Sequence, residues 1–277
     1  MQMKQTNEGF ETMPVRRIWR ILSAVLVLAL PAASFAKEPK RSATAPAPVM
    51  EQRALDLLKH MSETLIGAKA FTYRSRSMVE IPAKTGQFIT LFAVSEVALE
   101  RPNKLRANVT GDVPNFQFYY DGASIGASDP QTNQYSVVPS APATIDEMLE
   151  FVKNKAGVNF HSSDVMFGDP YAVMSKGLTS AFVVGRATVE GSPCEHLAFR
   201  GPGINWEIWI DAGERALPRR LAVTYTDIAN FPRFLVEFSD WNLSPTLSQD
   251  TFTFKKPANA KEIEFASRLP SSDKVVK

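Results

Sequence analysis

A single cysteine, Cys194, stands in 277 residues. That excludes an intrachain disulfide framework and a zinc site built on paired thiols. Histidine is almost as scarce, and His60, His161 and His196 show no paired spacing that would complete a metal site. Neither sign of charge is in surplus. Setting aside residues 1–36 removes four of the 31 basic and two of the 29 acidic side chains, so the remainder carries equal numbers of each. The basic stripe of a nucleic-acid binder is therefore missing. No apolar run reaches the roughly 20 residues that span a bilayer. The patterns H-E-x-x-H, G-x-x-x-x-G-K-S/T and G-x-G-x-x-G do not occur, which removes the common metalloprotease, P-loop and dinucleotide signatures. No metal and no cofactor is expected.

The longest apolar run, Ile21 to Leu30, follows Arg16, Arg17 and Arg20 and precedes Ser34-Phe35-Ala36. Basic flank, short apolar core and small residues together describe a secretory signal peptide over 1–36, with cleavage predicted after Ala36 and export. An uncleaved N-terminal anchor is the alternative. No cysteine sits at the cleavage site to carry a lipid. Residues 37–49, mixing Pro, Ala, Ser and charge without apolar period, read as a flexible linker. Residues 50–266 then form one domain, with a disordered tail over 267–277. After cleavage the chain is not expected to span a membrane.

Within the domain the period of the apolar residues alternates between two values. Ala54, Leu55, Leu58, Met61, Leu65 and Ile66 recur at helical spacing, predicting an amphipathic helix over 50–66 that stops at Gly67. From Ala70 to Asp129 the period is two, as in Phe71 and Tyr73, in Leu105, Ala107 and Val109, and in Phe116, Phe118 and Tyr120. Turn residues separate these runs, so a meander of antiparallel strands is expected. Helical spacing returns at Thr144 to Lys155, with Thr144 and Glu147 placed as a capping box, and more briefly near Pro170. Asp146 and Glu147 read as a solvated face. Strands resume at 178–189, 194–200, 204–210, 219–226 and 234–241, with short ones near 251–254 and 261–265. About 11 strands with two helical segments suit one mainly β, incompletely closed antiparallel sheet whose concave face the helices cover.

Two constellations invite a catalytic reading. Gly122-Ala123-Ser124-Ile125-Gly126 fits the G-x-S-x-G nucleophile elbow. An elbow needs a helix directly after its serine, whereas the residues after Ser124 have a strand period and Asp121-Gly122 signals a two-residue hairpin. Cys194 and His196, two apart on a strand, share one face. They are a possible functional pair, as thiolate and base, or a buried thiol beside a hydrogen-bonded imidazole. The apolar side chains say more. Phe88, Phe92 and Val94 share one face of the strand 87–99, opposite Ile89, Leu91, Val97 and Leu99. Trp206, Ile208 and Ile210 share a face from which Trp209 points away, and Phe234, Val236 and Phe238 oppose Leu235 and Trp241. Strands apolar on both faces need cover on both sides.

Arg101-Pro102-Asn103, Tyr120-Asp121-Gly122, Asp129-Pro130, the run Trp206 to Asp211 with Leu217 to Leu221, and Asp250 to Pro257 follow one another in the order of landmarks of the Lol periplasmic lipoprotein carriers (LolA/LolB). The chain resembles more closely a family of predicted bacterial periplasmic proteins, through Tyr120-Asp121-Gly122, Gly168 to Tyr171 and Pro193 to His196. The resemblance implies a LolA/LolB-like half-barrel with helices as a lid over an apolar cavity, and implies for Arg101 the role of a latch holding that lid. An acyl chain leaving water gains about 0.8 kcal/mol per methylene, so such a shuttle needs a gated apolar pocket and no catalytic group. The expected function is to bind or carry a lipid, a lipoprotein acyl chain or another hydrophobic ligand, with an envelope protein as a possible partner. The expected lining is Phe88, Phe92, Phe116, Phe118, Tyr120, Trp206, Ile208, Phe234, Val236 and Phe238. A non-catalytic structural or interaction module of the envelope is the alternative, and a Cys194-His196 enzyme the third.

Overall fold

The computed structural model describes residues 49–112, 115–156, 160 and 162–265. The expected signal peptide, most of the expected linker, His161 and the expected C-terminal tail lie outside them. Among the described residues one 12-stranded sheet dominates, with three α-helices on one face, here called inner. Helix α1 runs Gln52–Gly67. The first six strands are β1 (Ala70–Pro82), β2 (Phe88–Glu100), β3 (Lys104–Gly111), β4 (Phe116–Tyr120), β5 (Ile125–Asp129) and β6 (Gln134–Val138). Helices α2 (Ile145–Ala156) and α3 (Pro170–Met174) follow. The chain then returns to the sheet as β7 (Ser180–Val189), β8 (Ser192–Gly201), β9 (Ile204–Asp211), β10 (Pro218–Tyr225), β11 (Arg233–Asn242) and β12 (Lys261–Glu262).

The spatial order is β12-β6-β5-β4-β3-β2-β1-β11-β10-β9-β8-β7, so two meanders are joined where β1 pairs with β11. Every pair is antiparallel except β12 with β6. The sheet stays open, and both edges are partly covered, which blunts a template for stray pairing. At one edge β12 lies on β6. At the other, Ala181 N–H donates to the Val49 carbonyl at 2.7 Å and Glu51 N–H to the Ala181 carbonyl at 2.8 Å.

The helices form where the period placed them. Ala54, Leu58, Met61 and Leu65 make the buried stripe of α1, which packs against β7, β9 and α3. At the start of α2, Glu147 N–H donates to Thr144 Oγ1 while Glu147 Oε2 accepts from Thr144 N–H, closing the capping box. Asp146 departs from the solvated-face reading, because its Oδ1 accepts from Gly168 N–H at 2.8 Å and ties α2 to the segment before α3. Asp169 caps α3 by accepting from Ala172 N–H, and Ser62 of α1 accepts from Tyr171 N–H.

Three local expectations are corrected. Residues 251–254 are not a strand. A 3-10 turn at Gln249–Thr251 leads into chain laid across the outer face of the sheet, where it packs by side chains and has no ladder to join. Phe252 is buried there, and the Phe254 ring lies 5.8 Å from Tyr119 and 5.9 Å from Tyr135. The β4–β5 connection is wider than two residues: Tyr120 pairs with Ile125, and Asp121 Oδ1 accepts from the N–H groups of Ala123 and Ser124. Trp241 joins the face of Phe238 instead of opposing it. The pairing of β1 with β11 slips near Asp240, whose φ of 55° marks an extra residue, and Trp241 stacks 4.6 Å from Tyr73.

Candidate functional site

Cross-strand neighbours point to the same side of a sheet, so the register assigns each predicted lining residue to a face. Phe116 pairs with Val109, Phe118 with Ala107 and Tyr120 with Leu105, all on the inner face, and Phe118 and Tyr120 are buried. Trp206, Ile208, Phe234, Val236 and Phe238 are also inward and buried, in the same cluster as Leu58, Met61 and Leu65 of α1. They form solid core. Phe88 and Phe92 are corrected: Val79, which packs on the core, pairs with Leu91, so β2 turns Ile89 and Leu91 inward and its even-numbered residues outward. Phe92 is 58% exposed.

Open space remains at one end of the inner face. Between β4, β5, β6, α2 and the chain after β12 lies a cleft with about 670 Å³ of empty volume, its open mouth included. Its apolar wall comes from Phe116, Phe118, Ala127, Val152, Phe160 and Phe265. Phe160 packs edge-on to Phe118 at 5.4 Å, and Phe265 lies parallel to Phe151 of α2 at 6.5 Å. Ile263 N–H donates to the Tyr135 carbonyl and so carries the C-terminal segment round the β6 edge into the cleft. Behind the cleft, the Tyr120 hydroxyl donates to the Pro142 carbonyl at 2.6 Å. Burial, then the charges of Glu147 and Asp121, push that hydroxyl up to about 12, so it stays a donor.

Three of these wall residues escaped the sequence reading. Val152 was legible only as part of the helical stripe. Phe160 sits in an irregular loop, and Phe265 follows a two-residue strand, so neither carries a period.

Arg101 lies in the β2–β3 connection and reaches across to the segment before α3, where its Nη1 donates to the Met166 carbonyl at 3.3 Å. Its guanidinium lies 5.8 Å from the Phe71 ring, and its Nε and Nη2 are buried without a hydrogen-bond partner. Burial lowers its pKa from the ordinary arginine range, and the carboxylate of Asp146 opposes this. Asp164 belongs to the same segment and walls a second hollow with Lys153, Phe160 and Phe167. Burial raises its carboxyl to about 6, against the pull of Lys153.

The other named pair lies on the outer face and is held in separate contacts. Cys194 Sγ donates to the Ser192 carbonyl at 3.4 Å, and burial, reinforced by Asp211, pushes the thiol up. His196 Nε2 lies 2.8 Å from Glu207 Oε2, with its ring stacked 4.0 Å from Trp209. Ser124 Oγ donates to the Asp121 carboxylate as part of the turn. Among the described residues no group of three or more His, Cys, Asp and Glu side chains is arranged to hold a metal ion. Nor is any helix among them long and apolar enough to cross a membrane.

An open antiparallel sheet with helices over an apolar cleft is thus the architecture on which the comparisons bear. The chain belongs to a family described as predicted periplasmic protein (DUF2092), whose model matches residues 54–266. That description carries the periplasmic location that the resemblance implied, in keeping with the export expected from residues 1–36. No curated protein matches the sequence. Among solved structures, lipoprotein LppX of Mycobacterium tuberculosis is similar at 13% identity and a TM-score of 0.46, over 72% of this chain and 100% of that one. An uncharacterised conserved protein of Thermus thermophilus is similar at 12% identity and a TM-score of 0.44, over 77% and 99%. A LolA superfamily protein of Nitrosomonas europaea is similar at 10% identity and a TM-score of 0.30, over 73% and 97%.

Proposed function

We propose that this protein binds and carries a hydrophobic ligand, a lipid or an acyl chain, in the cleft between β4–β6 and α2. The observation that carries the reading is the cleft itself. Phe116, Phe118, Phe160 and Phe265 face about 670 Å³ of empty volume, its open mouth included, whereas Trp206, Ile208, Phe234, Val236 and Phe238 are packed in the core. Aromatic and aliphatic surface left facing a concave space is what an apolar ligand covers, and each methylene moved there from water contributes about 0.8 kcal/mol.

Arg101 acts in this reading as the latch. Its bond to the Met166 carbonyl ties the β2–β3 connection to the segment that carries Phe167 over α2. Arg101→Leu should speed ligand release without unfolding the protein, and an unchanged release rate would remove the latch. Native mass spectrometry and organic extraction of protein purified from a periplasmic fraction test the main reading. Co-purifying lipid is expected. A clean apo mass, together with no uptake from added lipid, would refute it.

A further inference from the structure

The strand register grades the cleft from apolar floor to polar rim. Phe118, Ala127 and Ser136 form the inner row of its sheet wall across β4–β5–β6, with Tyr120 and Ile125 buried behind them. The outermost row holds Phe116, Asp129 and Gln134. Two residues along each strand separate these rows, about 7 Å. A ligand in contact with the whole wall therefore has one apolar end and one polar end.

The rim also specifies what that polar end carries. Gln134 Oε1 is buried without a hydrogen-bond partner, and a buried carbonyl acceptor left unpaired is unfavourable until a donor reaches it. Next to it, the Asp129 carboxylate accepts from Gln131 N–H, Thr132 N–H and Thr132 Oγ1. Those bonds hold a negative charge at the rim. Among the described residues lining the cleft none is basic, so an anionic head would meet Asp129 with no counter-charge.

We infer that the cleft selects a single-chain amphiphile whose head is uncharged and donates a hydrogen bond to Gln134, such as an acyl glycerol or a fatty amide, over a fatty carboxylate or phosphate. The inference rests on the cleft being the ligand site. It adds a residue that reads the head and a charge that rejects the wrong one.

The test compares monolaurin, methyl laurate and lauric acid by titration calorimetry below their micellar concentrations, at about pH 8, where the carboxyl is ionised. These share one acyl chain and differ in donor and charge. Monolaurin should bind about tenfold tighter than methyl laurate, the order expected for one buried hydrogen bond gained against one acceptor left bare. Lauric acid should bind more weakly than the ester. Gln134→Met should abolish the advantage of monolaurin while methyl laurate binds as before, which also shows that the variant is folded. Asp129→Asn, which keeps an acceptor for the turn, should bring lauric acid to the level of the ester. Equal binding of monolaurin and ester, or a preference that survives Gln134→Met, would overturn the inference and leave the carrier reading standing. Binding of none of the three would overturn both.

Discussion

Replacing Gly126 by alanine should destabilise the protein by about 1–3 kcal/mol, the usual range for forcing atoms into a packed site. The reason is not backbone conformation. Gly126 sits in β5, paired with Tyr119 and Val137, and lies outside the left-handed region. On backbone grounds alone alanine would therefore stabilise by about 0.4–1 kcal/mol. The obstacle is Phe254, whose Cγ would lie 2.1 Å and Cβ 2.4 Å from an added methyl carbon. The ring must leave its place between Tyr119 and Tyr135, and the segment that crosses the outer face loosens with it. Two opposite signs are thus predicted in two backgrounds: Gly126→Ala destabilises the wild type and is neutral or stabilising in Phe254→Ala, a coupling on the order of 2–3 kcal/mol. Urea unfolding of the four proteins at constant m-value measures it. A destabilisation that persists undiminished in the Phe254→Ala background would refute the packing argument, and alanine stabilising the wild type would refute it outright.

Other perturbations separate the remaining structural claims. Asp164 has its carboxyl raised to about 6 in the folded chain. Its contribution is therefore fully present below the unfolded value near 4 and is lost as pH rises through about 6. Asp164→Asn should stabilise the protein at pH near 8 by about 1–3 kcal/mol, the lower part of the range because the residue keeps some contact with solvent, and should flatten the pH dependence between about 4 and 7. A variant with the wild-type pH dependence would remove Asp164 from it. Phe92→Ser should change stability by less than about 0.5 kcal/mol, whereas Phe118→Ala should cost about 3–5 kcal/mol and enlarge the cleft. Comparable losses in urea unfolding would put the face assignment of β2 in error. Cys194 should react slowly with a thiol reagent at neutral pH and quickly once urea unfolds the chain, and fast native labelling would contradict its burial.

How far the site could be read in advance follows from the contrast between its strands. In β4, apolar Phe116, Phe118 and Tyr120 leave Gln117 on the other side of the sheet, and the parity was legible. In β2 both candidate faces are apolar, with Phe88 and Phe92 against Ile89 and Leu91, so alternation carried no sign. Only pairing with Val79 and Ile81 resolved it. Trp241 failed for a related reason. Periodicity assumes two residues per repeat, and the slip near Asp240 adds one. The cleft itself was beyond reach, because Val152, Phe160 and Phe265 come from a helix, a loop and the segment after β12, which share no local pattern.

Local chemistry determined a good deal. Apolar period, capping residues and turn signals specified the helices at 52–67 and 145–156 and most of the antiparallel strands. The lone cysteine and balanced charge left a core without cross-links, and Tyr120-Asp121-Gly122, Gly168 to Tyr171 and Pro193 to His196 resembled the family. These properties act between residues close in the chain, so a sequence displays them directly. Tertiary structure alone decided which surfaces meet. It joined β1 to β11, laid Phe254 on Gly126, and left empty the space beside β4–β6 while filling that beneath α1. Each depends on contacts between residues more than a hundred positions apart, whose energies come from shape and burial and leave no period to read.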